Sequence, residues 1–68
     1  MPRYKLSINT HNHNCSIVTG NVTFDTAYIL GCWLRSQHDV DVDMFVERIR
    51  DGNWILSAEF SSDGVALY

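Results

Sequence analysis

Basic residues are scarce in this 68-residue chain. Five Lys and Arg stand against eight Asp and Glu, a formal net charge of −3 with the three His neutral. Phosphate neutralisation supplies most of the affinity of a nucleic-acid binder, so this balance argues against direct nucleic-acid binding. Arg3 and Lys5 lie together, but nothing continues them into a patch. Long apolar runs are missing too: the longest, AYILGCWL, is less than half of the roughly 18 residues a membrane span needs. No basic segment followed by an apolar run opens the chain, so no secretory signal is expected. The two cysteines, Cys15 and Cys32, are then expected as free thiols of a cytoplasmic protein. The NCS and NVT triplets at Asn14 and Asn21 become glycosylation patterns without use. Also absent are a Gly-rich phosphate loop, paired carboxylates in an apolar setting and any known catalytic motif. Neither an enzyme nor a cofactor is expected.

Apolar material is plentiful. Hydrophobic residues make up 46% of the chain, with two Trp, three Tyr and three Phe, which excludes disorder. Residues 1–68 are expected to form one domain. A chain this short buries only roughly 60% of its unfolded surface, so it is short of stabilising area without a dense core, a metal or a partner.

Hydrophobic periodicity orders the elements. In RYKLSINT, Tyr4, Leu6, Ile8 and Thr10 alternate with Arg3, Lys5, Ser7 and Asn9, the period of a strand with one wet face. HNHN reads as a turn, and CSIV as a short return strand. Thr23 is placed to cap a helix that runs to about Gln37, with Asp25 in its first turn. Gly31 in its middle costs about 1 kcal/mol against Ala but permits close approach of another element. After SQHDVDVD, the positions Val42, Phe45, Val46 and Ile49 fit the i, i+3, i+4, i+7 template of a second helix. Asp39 or Asp41 would cap it and Gly52 would end it. NWILSAEF restores period two, with Trp54, Leu56, Ala58 and Phe60 expected on one face. SSDG is a turn and VALY a last strand. The expected fold is α+β: a small antiparallel sheet of three or four strands with two α-helices packed on one face, in the order β(β)ααββ.

Three groups of residues are candidates for function. His11, His13 and Cys15 alternate and carry good zinc donors, with His38 or Cys32 as a fourth. The spacing matches none of the usual zinc units, however, and the interleaved Asn favours a solvated turn. The carboxylates Asp39, Asp41, Asp43 and Glu47 suit a helix cap and a solvated face. They also suit a row of negative charge offered to a basic groove, which Asp51, Glu59 and Asp63 could extend. The first helix is apolar nearly all round, so Tyr28, Ile29, Cys32 and Trp33 are expected either between the sheet and the second helix or in a homodimer or partner interface.

In size, acidity and lack of a catalytic motif, the chain resembles the small single-domain inhibitor proteins of phages and other mobile elements, anti-CRISPR proteins among them. The resemblance is one of general character and involves no residue-by-residue motif. It implies a non-enzymatic protein of the host-cell cytoplasm that covers a surface of a larger host protein or protein–nucleic-acid complex. A zinc-binding structural domain on His11, His13 and Cys15 and a homodimeric accessory protein are the alternatives.

Overall fold

The computed structural model describes residues 1–10 and 12–68. Six elements follow one another: β1 (Arg3–Asn9), β2 (Asn14–Asn21), α1 (Phe24–His38), β3 (Asp41–Glu47), β4 (Trp54–Ser61) and β5 (Gly64–Leu67). The strands form one antiparallel sheet in the order β2-β1-β3-β4-β5. α1 packs on one side of it, against β3, β4 and β1.

β1 keeps the alternation of its sequence, with Tyr4 and Leu6 buried and Ile8 packed against the core. The turn that follows is held by Thr10, whose Oγ1 donates to the His13 carbonyl (2.7 Å) and accepts from the His13 N–H (2.9 Å). The return strand expected at CSIV extends to Asn21. Thr23 caps α1 as its sequence position suggests, accepting from the Thr26 N–H at 3.2 Å.

The expectation of two helices and three or four strands is overturned: the described residues contain five strands and a single helix. The segment read as the second helix is β3, the central strand. DVDMFVE satisfies two periods at once. Val42, Met44 and Val46 alternate with Asp41, Asp43 and Glu47, while Val42, Phe45 and Val46 also fall at helical spacing. The β-branched and aromatic residues favour the pleated surface, and Asp is a poor residue for a helix interior. In the strand, Val42 and Met44 become fully buried. Ile49, the last match to the helical template, lies in the β3–β4 turn and is 84% exposed. Gly52 does adopt a left-handed conformation (φ 74°), but in that turn, where its N–H bonds the Arg48 carbonyl at 2.7 Å. Asp39 starts no helix. It ends α1, at φ 51°, with its N–H on the Arg35 carbonyl at 2.9 Å.

β4 departs from simple alternation. Met44 pairs with Ala58 but Phe45 pairs with Leu56, so Ser57 is an extra residue in β4. Such a bulge inverts the facing of everything beyond it. Ala58 and Phe60 stay in the core, whereas Trp54 and Leu56 turn to the opposite face of the sheet, against the sequence expectation of one shared face.

The core consists of Tyr4, Leu6, Ala27, Leu34, Val42, Met44, Ala58 and Phe60. Gly31 sits hard against it: a Cβ there would lie 2.5 Å from the Phe60 ring. The missing side chain lets α1 settle onto the sheet.

Candidate functional site

α1 turns Ala27, Gly31 and Leu34 to the sheet, and among the described residues no second helix covers its other side. Ile29 is 68% exposed, Trp33 is 54% exposed, and Cys32 is exposed with them. Asp25, Ile29, Cys32 and Trp33 stand at i, i+4, i+7 and i+8, so they form one outward stripe. Asp25 in the first turn and Asp39 at the C-cap bracket it with negative charge. The stripe holds no Lys or Arg: Arg35 turns the other way, its Nε donating to the Ser61 carbonyl at 2.9 Å. Tyr28 does not belong to this surface. Its ring is half-buried and packs edge-on against Phe60 at 5.4 Å.

The side of the sheet away from α1 is also uncovered, and strand register arranges it in four rows. Arg3, Glu47 and Trp54 make the first. Val18, Lys5, Phe45 and Leu56 make the second. Ser16, Ser7, Asp43, Glu59 and Ala66 make the third, and Asn14, Asn9 and Asp41 the fourth. Three of the four sequence-selected carboxylates, Asp41, Asp43 and Glu47, therefore share this face, because alternate residues of β3 point the same way. Asp39 does not join them.

Charge is divided along this face. Arg3 and Glu47 form a two-pronged pair (3.1 and 2.5 Å), and the guanidinium holds the Glu47 carboxyl below its ordinary pKa. Lys5 has no carboxylate partner among the described residues; its Nζ lies 5.1 Å from the Phe45 ring centre and 5.2 Å from that of Trp54. One row on, Asp43 and Glu59 sit directly across from each other. Asp43 is pushed up, first by burial and then by the neighbouring Glu59 and Asp41, against the hydrogen bond it accepts from Asn9 at 3.1 Å. Glu59 accepts a hydrogen bond from the Tyr68 hydroxyl, which raises the Tyr68 pKa. Of the other acids, Asp51 is paired with Arg48 and Asp63 lies in the β4–β5 turn. The sequence signal for the basic, aromatic row was present in the alternation of β1. The Ser57 bulge hid the contribution of Trp54 and Leu56.

The two residue groups chosen from sequence thus lie on opposite layers: the apolar stripe on the outer side of α1, the carboxylates of β3 beneath the sheet. One flat partner surface cannot touch both. In the proposed zinc set, His11 lies outside the described residues, His13 is exposed at the turn, and Cys15 is exposed at the start of β2. Among the described residues, no three His, Cys, Asp or Glu converge as metal ligands. Open depressions mark the surface formed by the described residues. One of about 440 Å³ is lined by Asn9, Thr10, Asp39, Val40 and Asp41, and one of about 240 Å³ by residues of the β4–β5 hairpin. No helix among the described residues is long and apolar enough to cross a membrane. No family model, curated protein or solved structure matches the chain.

Proposed function

We propose that this protein is a non-enzymatic binding module whose outward helix face docks on a larger protein and occludes a basic surface, of the kind that otherwise holds nucleic acid. The observation that carries this reading is the bare stripe on α1. Ile29 and Trp33 stand exposed on a helix whose sequence is apolar enough for burial. A protein interface has an apolar, aromatic-rich centre and a polar rim, and Trp is among the commonest anchors of binding energy. Here the centre is Ile29, Cys32 and Trp33, and the rim is Asp25 and Asp39. The acidic rim and the formal net charge of −3 select a basic partner and speed the encounter with it. The carboxylates of β3 contribute to the long-range field and not to this contact.

Affinity capture with wild-type and variant chains tests the proposal. A partner retained by the wild type would be lost with Ile29→Lys or Trp33→Glu. It would be kept with Asp43→Asn, whose side chain lies on the other layer. Retention by both stripe variants at wild-type levels would remove α1 from the contact.

A further inference from the structure

We infer that the free edge of β2 pairs antiparallel with β2 of a second copy of this chain, about a two-fold axis at Ser16 that joins the two sheets into one. Backbone hydrogen-bonding groups alternate sides along a strand. At both ends of β1, even-numbered residues turn these groups to β2: the Thr10 N–H donates to the His13 carbonyl at 3.0 Å, and the Pro2 carbonyl accepts from the Val22 N–H at 3.1 Å. Leu6 and Ile8 therefore bond their partners Ile17 and Cys15. The residues that alternate with these, Asn14, Ser16 and Val18, turn their N–H and C=O groups outward, where no strand lies among the described residues. An extended backbone is the ligand that such a row fits. β2 also lacks the features that guard a sheet edge. None of its eight residues is charged or proline, and all but Thr19 are exposed. The opposite edge, β5, is only four residues long, and a short edge is itself a guard.

The register selects one arrangement. A bulge at Thr19 and Gly20, opposite Tyr4, interrupts β2, so its regular stretch is residues 14–18, with Ser16 in the middle. A two-fold axis there, normal to the sheet, sets Ser16 on Ser16 and Asn14 on Val18 to either side. These are hydrogen-bonded pairs, and they use every outward group of the stretch. On the side that carries α1, Ile17, 40% exposed, falls beside Cys15 of the second copy. The row of Leu6 and Ile17 in one copy then continues into that of Cys15 and Ile8 in the other, and the reverse. An extended segment of another protein would supply the hydrogen bonds but fits less well. Selection of such a segment needs pockets for its side chains, and the depressions described above lie at the end of β1 and β3 and at the β4–β5 hairpin. A second copy brings its own Cys15 and Ile17 in register and no charge on β2 to repel the first. α1 packs against β3, β4 and β1, one strand back from the join. Both helices stay on one side of the joined sheet with Ile29 and Trp33 outward, so the pairing neither requires nor blocks docking through α1.

Sedimentation over a concentration series and register-specific cross-linking test the inference together. The wild type is expected to dimerise weakly and reversibly, because one strand edge buries little surface. Ser16→Pro removes an N–H that β1 does not use, so the fold stands while the central bonds of the join are lost. Self-association is then expected to weaken roughly a hundredfold. Cross-linking uses a Cys15→Ser, Cys32→Ser background with oxidised glutathione as the oxidant. Ser16→Cys is expected to link to itself, since paired Cα atoms about 5.5 Å apart suit a disulfide. Val18→Cys is expected to link to itself at least tenfold more slowly, its two copies standing about 13 Å apart along the strands. Mixed with Asn14→Cys, it is expected to link readily. These rates decide the register even if Ser16→Pro fails to fold. Three results would overturn the inference: a wild type that stays monomeric at the highest concentration, a folded Ser16→Pro that dimerises as tightly as the wild type, or equal self-linking at positions 16 and 18. A monomeric chain whose captured protein is released by Ser16→Pro but held by Trp33→Glu would assign the edge to a strand of another protein.

Discussion

A carboxylate directly across a strand from another, as Asp43 is from Glu59, raises the energy of the folded chain at neutral pH. Burial adds to the effect, and together they raise the Asp43 pKa. A carboxyl whose pKa is higher folded than unfolded favours folding while protonated and opposes it once ionised. Replacing Asp43 with Asn removes the charge and leaves an oxygen for the Asn9 amide. Asp43→Asn is expected to add about 0.5 kcal/mol near pH 7, or roughly 2–4 °C in melting temperature. The gain is expected to vanish near about pH 3, where the wild-type carboxyl is itself protonated. Thermal melts at the two pH values check this, and an equal gain at both would contradict it. Glu47 and Asp51 act in the opposite sense. Their pKa values are lowered by Arg3 and Arg48, so the stability they contribute is present at neutral pH and lost as pH falls through those lowered values.

Secondary-structure elements were legible wherever one period applied. The strict alternation of β1 and the Thr23 cap with the apolar run behind it identified a strand and the start of a helix without ambiguity. β3 was not legible, because Val42, Phe45 and Val46 satisfy the helical period and the strand period together. Burial against α1 and pairing with two neighbours decide between them, and neither is written in a seven-residue window. The facing of β4 was hidden for a different reason: a single inserted residue, Ser57, reverses it. Gly31 was read as a point of close approach, and it meets Phe60. Gly31→Ala is therefore expected to destabilise by about 1–3 kcal/mol, despite the roughly 1 kcal/mol by which Ala favours a helix. Phe60 is only 1% exposed, so its ring has nowhere to move. Phe60→Leu, destabilising alone, is expected to recover part of the loss in the Gly31→Ala background, and denaturant melts of the four chains measure that coupling. Additive effects would place the strain elsewhere. Deleting Ser57 is expected to keep the fold, since Ala58 and Leu56 would then follow each other in a regular ladder opposite Met44 and Phe45 with Trp54 and Leu56 still on the outer face; a far-UV spectrum that reports unfolding would show that the bulge itself is needed.

At the scale of the molecule, one helix on a five-stranded sheet is too little cover. A helix about 10 Å across shields about half the width of one face and none of the other. The chain therefore presents two surfaces on opposite sides: the outer stripe of α1, bounded by Asp25 and Asp39, and the charge-divided face of the sheet. Sequence reading picked out Ile29, Cys32 and Trp33 of the first surface and only Asp41, Asp43 and Glu47 of the second, and the expected second helix would have moved those three carboxylates off the sheet. The most direct measurement uses the partner retained on the wild-type chain. Its binding to labelled nucleic acid is followed by fluorescence anisotropy as wild-type or Trp33→Glu protein is added. Wild-type protein is expected to displace the nucleic acid with a midpoint at the affinity of the protein–protein contact, and Trp33→Glu to leave it bound. Nucleic acid that stays bound at saturating wild-type protein, or that both chains displace equally, would contradict occlusion through α1.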